Sequence, residues 1–393
     1  MTAPVYLDCA ATTPVDPRVG TVMTRILRSA DEFGNPGSLT HEYGDRASAI
    51  VDTARAQVAA AVGASTADVV WTSGATEANN LAIFGVTSYY ANQGRHIITA
   101  RTEHKAVLDP CWELERRGWR VTWLTPGPDG IVAPEQIEAA LEGDTILVSL
   151  MHVNNEIGVI QDIRSIAAVC ARHGGARLHV DAAQSVGKEP LDFVAMGADL
   201  MSLSAHKVYG PKGVGALLVS QLHGVRVEAR QFGGGQERGL RSGTLAPHQL
   251  AGMGMAFTLA AQEQAQETQR VAALRRRLWD GIAALGGVLR NGADQGTVPQ
   301  LLNASFEDVE GEALLAAVRG QIAISSGSAC TSSSSEPSYV LRALGRSDRL
   351  AESSLRFGMG RFTQEVDIDQ AIAAVGAALT RLRKISGPCA TAS

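Results

Sequence analysis

Arg177-Leu178-His179-Val180-Asp181 and, further on, Leu200-Met201-Ser202-Leu203-Ser204-Ala205-His206-Lys207 decide how this chain folds. Each is a short apolar run that stops on a chemically active side chain. Asp181 closes the first and is followed by Ala182-Ala183-Gln184. Lys207 closes the second. Read outward from these two, the same pattern recurs from residue 15 to about residue 260. Further candidate strands are Val69-Val70-Trp71, His96 to Thr99, Val121 to Leu124, Ile146 to Leu150 and Ala216 to Val219. Helical stretches such as Ala47 to Val62 and Pro134 to Leu141 lie between them. Strand–helix alternation predicts an α/β domain with a mostly parallel, seven-stranded sheet covered on both faces. Ligands of such sheets sit beyond the carboxyl ends of the strands, where Asp181 and Lys207 both fall.

A long helical stretch from about Gln249 to Leu285 leads into a second, smaller α+β domain. It holds Asn303 to Phe306, a helix near Glu312 to Arg319 and a tail helix near Asp367 to Lys384. The expected division is 15–262 for the large domain, with 1–14 and 263–393 forming the small one. The 393 residues, 45% hydrophobic and 19% charged, give an ordinary globular balance and enough chain for about two domains. A net charge of −5 argues against an electrostatic nucleic-acid binder. Met1 to Ala10 has no signal-peptide pattern, and no apolar stretch approaches a membrane span. The five cysteines, Cys9, Cys111, Cys170, Cys330 and Cys389, are widely spaced and odd in number. They predict neither a disulfide framework nor a zinc site, and a reducing cytoplasm fits them.

A lysine and an aspartate, each at the tip of a short strand, suit pyridoxal phosphate. The lysine forms a Schiff base with the aldehyde, and the carboxylate keeps the pyridine nitrogen protonated. A surface lysine and a helix-capping aspartate are the plain alternative. Thr72-Ser73-Gly74-Ala75-Thr76-Glu77 follows a strand and opens a helix, as a phosphate cup would, or as an ordinary capping box would. Ser204 and His206 flank the lysine and offer two more phosphate donors. His104 follows the strand ending at Thr99 and could stack on a ring and shuttle protons, or simply be solvated. Asn155, in Asn154-Asn155-Glu156-Ile157-Gly158, suits cofactor or substrate oxygens, or a turn. Arg356, between Leu355 and Phe357, suits a substrate carboxylate or a structural ion pair. The glycine-rich loop Gly233 to Thr244 allows close approach of a partner subunit or an anion, or serves as a flexible connector. Last, Cys330 stands in Ser325 to Ser335 with no large apolar neighbour. Only a few per cent of a free thiol is thiolate at pH 7, so a nucleophilic Cys330 needs a nearby cation or helix N-terminus. An inert linker cysteine is the alternative.

Together these residues resemble the IscS/NifS-like cysteine desulfurases of the class-V aminotransferase type, from about Val5 to Leu382. The motifs that carry the likeness are Leu7-Asp8 with Ala11-Thr12-Thr13-Pro14, Phe33 to Pro36, Thr72 to Glu77, Thr102 to Val107, Met151 to Gly158, His179 to Gln184, His206-Lys207, Gly233 to Thr244 and Ser325 to Thr331. The resemblance implies the fold-type-I architecture of pyridoxal phosphate enzymes and a homodimer. It implies that Lys207 holds the cofactor and moves the Cα proton, Asp181 pairs with the pyridine nitrogen and Gln184 with the ring hydroxyl. His104 would stack on the ring as acid/base. Ala75, Thr76, Ser204 and His206 would hold the phosphate, with Thr244 from the second subunit. Asn155 and Arg356 would bind the carboxylate of L-cysteine. Cys330 would take the sulfur as a persulfide and release alanine. Cys9 stands where Asn or Tyr is usual, and Ala205 where Gly is usual. The tail after Leu382 is short for an IscS-like member. IscS-like members use a longer extension there to dock the iron–sulfur scaffold protein, so tRNA thiolation and DNA phosphorothioation stand beside that scaffold as expected destinations of the sulfur. Selenocysteine lyase, aminotransferase and a non-enzymatic sulfur-carrier scaffold are the rival activities.

Overall fold

The computed structural model describes residues 3–326 and 336–386. Cys330 and Cys389 lie outside the described residues. The chain opens with β1 (Val5–Tyr6), α1 (Pro17–Arg28) and α2 (Glu42–Ala61). The main sheet follows as β2 (Val69–Thr72), β3 (His96–Ala100), β4 (Arg120–Leu124), β5 (Thr145–Met151), β6 (Arg177–Asp181), β7 (Leu200–Ser204) and β8 (Gly215–Val219). Between these strands run α3 (Ala75–Tyr89), α4 (Lys105–Arg116), α5 (Pro134–Ala140), α6 (Ile163–His173) and α7 (Phe193–Met196). The long α8 (Pro247–Ala283) leads to β9 (Val288–Arg290), β10 (Leu301–Phe306), α9 (Gly311–Val318), β11 (Ile322–Ala323) and β12 (Ser325–Ser326). The chain continues through α10 (Tyr339–Ala343), α11 (Asp348–Glu352), β13 (Ser354–Gly358) and α12 (Glu365–Ser386).

All seven expected strands form, each within one residue of the expected ends. Their order is β2-β8-β7-β6-β5-β3-β4, with β8 antiparallel to both of its neighbours and every other pair parallel. β5 and β7 are buried along their whole length, as strands covered on both faces must be. α2 starts earlier than the apolar pattern predicts. The cause is His41, whose ring Nδ1 accepts the Gly44 N–H at 3.1 Å and caps the helix. Histidine is not among the side chains expected in that role.

Two hydrophobic cores meet along α8. The first gathers Trp71, Ile98, Val148, Val180 and Met201 of the main sheet with Leu250, Phe257 and Ala260 of α8. The second gathers Leu274, Leu278 and Ile282 of the same helix with Leu7, Phe306, Phe357 and Leu379. A four-stranded antiparallel sheet, β12-β13-β10-β9, backs this second core, and β1 pairs in parallel with β11. α8 approaches α2 closely at Gly254, where a Cβ would come within 2.3 Å of Gln57 Oε1 and 3.0 Å of the Ala54 Cα. Among the described residues no helix is long and apolar enough to cross a membrane.

Candidate active site

The parallel strands deliver their carboxyl ends to one edge of the sheet, and a pocket of about 590 Å³ opens there. Ser73 to Thr76 follow β2, His104 lies beyond β3, Asn155 lies beyond β5, Asp181 ends β6, and His206-Lys207 follow β7. Of the expected site residues at described positions, all except Ser204 and Thr244 line this pocket, Gln184 and Arg356 included. Residues dispersed over the sequence thus converge because one sheet edge collects them.

The Lys207 turn is held firmly. Thr13 donates both its N–H (2.8 Å) and its hydroxyl (3.0 Å) to the His206 carbonyl. The Thr13 hydroxyl also accepts the Tyr209 N–H at 2.8 Å. Tyr209 takes a left-handed backbone, φ 63, which turns the chain sharply after the lysine. Asp181 is fixed on both oxygens, accepting the Asn79 side-chain amide at 2.7 Å and the Ala183 N–H at 3.0 Å. The sequence alone does not single out Asn79. Its signal was available as a polar residue one turn into α3, on the face otherwise given to Ala78, Leu81 and Ala82.

α3 begins at Gly74 with no side chain capping it. Glu77 bonds backward to the Ser73 N–H at 2.7 Å and pairs with Arg241 at 2.8 Å. The first-turn N–H groups at Ala75 and Thr76 therefore face the pocket with the helix dipole behind them, an anion-binding arrangement. Ser204 is 2% exposed and its hydroxyl has no partner among the described residues. It is not part of the pocket wall but lies just behind it at the tip of β7. His206 is pushed down to about 4, first by burial and then by Lys207, so its ring is neutral. His104 caps α4, its Nδ1 accepting the Ala106 N–H at 3.1 Å, which leaves the neutral ring's proton on Nε2. Burial and the neighbouring Lys207 hold it below the usual histidine value.

Arg356 is buried. Its guanidinium donates to the Asn155 carbonyl at 3.0 Å and pairs with Asp8 at 3.0 Å. The arginine thus has a structural ion pair and also lines the pocket. Asp8 also accepts the Ser325 hydroxyl at 2.8 Å, and Ser325 pairs across the sheet with Arg356 itself. Glu156, wholly buried and pushed up to about 7 by that burial, accepts the Ser338 hydroxyl at 2.6 Å. Both described flanks of the segment 327–335 are thus fastened beside the pocket. Cys330 itself, in that segment, lies outside the described residues.

The Gly233 to Thr244 loop is no free connector. Glu237 is buried and accepts from Arg55 at 2.7 Å and from the Trp71 N–H at 2.8 Å. Thr244 at its end is exposed and away from this chain's own pocket. Among the described residues, His96, Glu142 and Asp144 form one cluster of metal-ligand type, at the opposite edge of the sheet. Arg120 already bonds both carboxylates, and Thr145 and Thr122 occupy the two ring nitrogens.

Residues 5–371 match the aminotransferase class-V family. Across 98% of this chain, 57% of residues are identical to a curated "Cysteine desulfurase IscS" of Aeromonas hydrophila subsp. hydrophila, 95% of which is covered. The chain belongs to the class-V aminotransferase family, in its cysteine desulfurase branch. A solved "NifS-like protein" superposes on this class-V chain with a TM-score of 0.90 at 32% identity, covering 96% of this chain and 100% of the other. A second solved structure, "SspA in complex with cysteine", gives a TM-score of 0.80 at 35% identity over 92% of this chain and 100% of that one. The α/β architecture expected from the sequence is therefore the architecture of the family.

Proposed function

We propose that this chain is a pyridoxal phosphate-dependent L-cysteine desulfurase, forming L-alanine and leaving the sulfur as a persulfide on Cys330. The observation that carries the reading is the convergence of Lys207, Asp181, Gln184, Asn155 and Arg356 on one pocket. The donor set suits the cofactor. The uncapped start of α3 at Ala75 and Thr76, with His206, fits a phosphate, whereas Ser204 lies outside the pocket wall. Asp181 fits the ring nitrogen, Gln184 the ring hydroxyl and the neutral His104 a stacking position. When bound, the cofactor supplies an electron sink for bonds at the substrate Cα.

The chain's own groups do the rest. Asn155 and Arg356 hold the substrate carboxylate, and Arg356 is pre-oriented by Asp8. Lys207 would hold the cofactor and would move the Cα proton, with His104 as a second acid/base. The Cys330 sulfur attacks the substrate sulfur. An S–S bond forms, the C–S bond breaks with its electron pair going to carbon, and a proton completes alanine. The sulfur then passes to an acceptor protein, an iron–sulfur scaffold or a thiolation enzyme. Because the attacking thiol must stay reduced, the cytoplasm is the fitting compartment. We divide the chain at 15–262 and at 1–14 with 263–393, since the two cores part within α8.

Incubation with L-cysteine, with alanine and enzyme-bound persulfide measured together, tests the reading. Equal amounts of both in the first turnover are expected. Alanine with elemental sulfur released and no persulfide would instead mean a lyase. A requirement for a 2-oxo acid would mean an aminotransferase, and a colourless protein making neither product a sulfur-carrier scaffold.

Arg356→Ala removes a charge-assisted fork worth on the order of 1.5–3 kcal/mol, so KM for cysteine should rise about 10- to 100-fold. An unchanged KM would take Arg356 out of the substrate site. We also propose a homodimer in which Thr244 of each subunit reaches the neighbour's phosphate position. Light scattering should give twice the chain mass, and a fully active monomer would overturn this.

A further inference from the structure

Lys188 is a buried amine with no part in the chemistry set out above. It lies one turn beyond Gln184 in the segment after β6, and its Nζ donates to Gln184 Oε1. The Gln184 amide nitrogen donates to the Ala10 carbonyl at 2.8 Å. Ala10 and Lys188 together therefore exclude the flipped amide, which keeps the second N–H of Gln184 available as a donor to the pocket.

On its other side Lys188 borders a small cavity of about 10 Å³, shared with Lys207, Cys9, Glu267 and Gln300. Such a space holds about one water. Gln300 is 3% exposed and neither of its side-chain polar atoms has a partner among the described residues. The cavity floor is thus polar and lies directly behind the reactive lysine.

The charges that face Lys188 come from four elements. Lys207 after β7 and Arg356 of β13 carry its own sign. Cys9 and Glu267 of α8 carry the opposite sign when ionised. Burial, however, pushes the Cys9 thiol up to about 12, so it is neutral. Glu267 is committed to Arg361 at 3.1 Å and to the Tyr209 hydroxyl at 3.3 Å. No carboxylate pairs with Lys188 among the described residues. Burial and Lys207 accordingly hold its amine down to about 7.

We propose that Lys188 is a positioning residue for the pocket, fixing Gln184 as a hydrogen-bond donor and opposing a positive charge on the neighbouring Lys207. A buried amine and a half-buried one that border the same small cavity do not both carry a proton readily. The pressure from Lys188 keeps a released Lys207 in the free-base form that can accept a proton from carbon. This rests on the reading of Lys207 as the cofactor-bearing lysine.

The test is a pH titration of the holoenzyme's visible absorption band in the wild type, Lys188→Met and Lys188→Arg. Removing the second amine should raise the midpoint by about one pH unit, while the always-charged arginine should keep it at or below the wild-type value. In Lys188→Met kcat should fall about 10-fold, with KM for cysteine little changed because Asn155 and Arg356 are untouched. Lys188→Gln, also neutral, should shift the midpoint in the same direction and serves where the methionine variant fails to fold. A wild-type midpoint in a neutral variant, alongside a Lys207→Ala protein that has lost the band, overturns the Lys188 proposal alone. A Lys207→Ala protein that keeps the same titrating band overturns the Lys207 reading itself.

Discussion

Lys207→Ala should release alanine from L-cysteine at least about 10⁴-fold more slowly than the wild type, because one side chain supplies both the covalent link and the proton transfer. The fold should survive the change. The turn around Lys207 is held by backbone and threonine bonds, from Thr13 to His206 and Tyr209, none of which uses the lysine side chain. A thermal unfolding midpoint within a few degrees of the wild type is therefore expected. Lys212 also borders the pocket, but it is exposed on the rim. It provides the control, since Lys212→Ala should keep the visible band that Lys207→Ala loses. Wild-type turnover in Lys207→Ala would remove the lysine, and with it the cofactor reading built on it.

The main sheet was legible because its strands are short, apolar and buried on both faces, so the chain spells them without interruption. Ile146 to Leu150 and Leu200 to Leu203 could hardly be anything else between turn-rich neighbours. The sheet order was not legible. That β8 returns antiparallel between β2 and β7 follows from tertiary packing, and nothing in Gly215 to Val219 states its direction. α2 shows a different limit, since its start depends on a histidine cap that no propensity ranking anticipates.

The pocket followed the same logic. Residues at strand tips were readable because the sheet edge collects them whatever their distance in sequence. What escaped were the partners that hold those residues in place. Asn79 on Asp181, Asp8 on Arg356, Lys188 on Gln184 and Glu156 on Ser338 are contacts between elements far apart in the chain or on the unseen side of a turn. A buried lysine or glutamate looks in sequence like any solvated one. Only burial marks it, and burial is a property of the fold.

Cys330→Ser should make no persulfide on the chain and should lower alanine formation by at least about 10³-fold, while still binding pyridoxal phosphate and cysteine. The cysteines on described residues point to this by their chemistry. Burial pushes the thiols of Cys9 and Cys170 up to about 12 and that of Cys111 higher still, so none of the three offers thiolate near neutral pH. Cys9 comes nearest to the pocket, yet it faces the cavity behind it. Ser326, by contrast, belongs to the strand that pairs with Arg356, the expected carboxylate anchor. Cys330 follows it by four residues of chain, a reach of at most about 14 Å. A serine hydroxyl cannot form the S–S bond that lets the C–S bond break. The variant should therefore bind substrate, shown by the spectral change on adding cysteine, and then stall. Tryptic mass mapping after cysteine treatment should find the added sulfur on the Cys330 peptide of the wild type and on no peptide of the variant. Wild-type alanine output from Cys330→Ser would mean that sulfur leaves without a protein nucleophile, which is the chemistry of a lyase and not of a sulfur transferase.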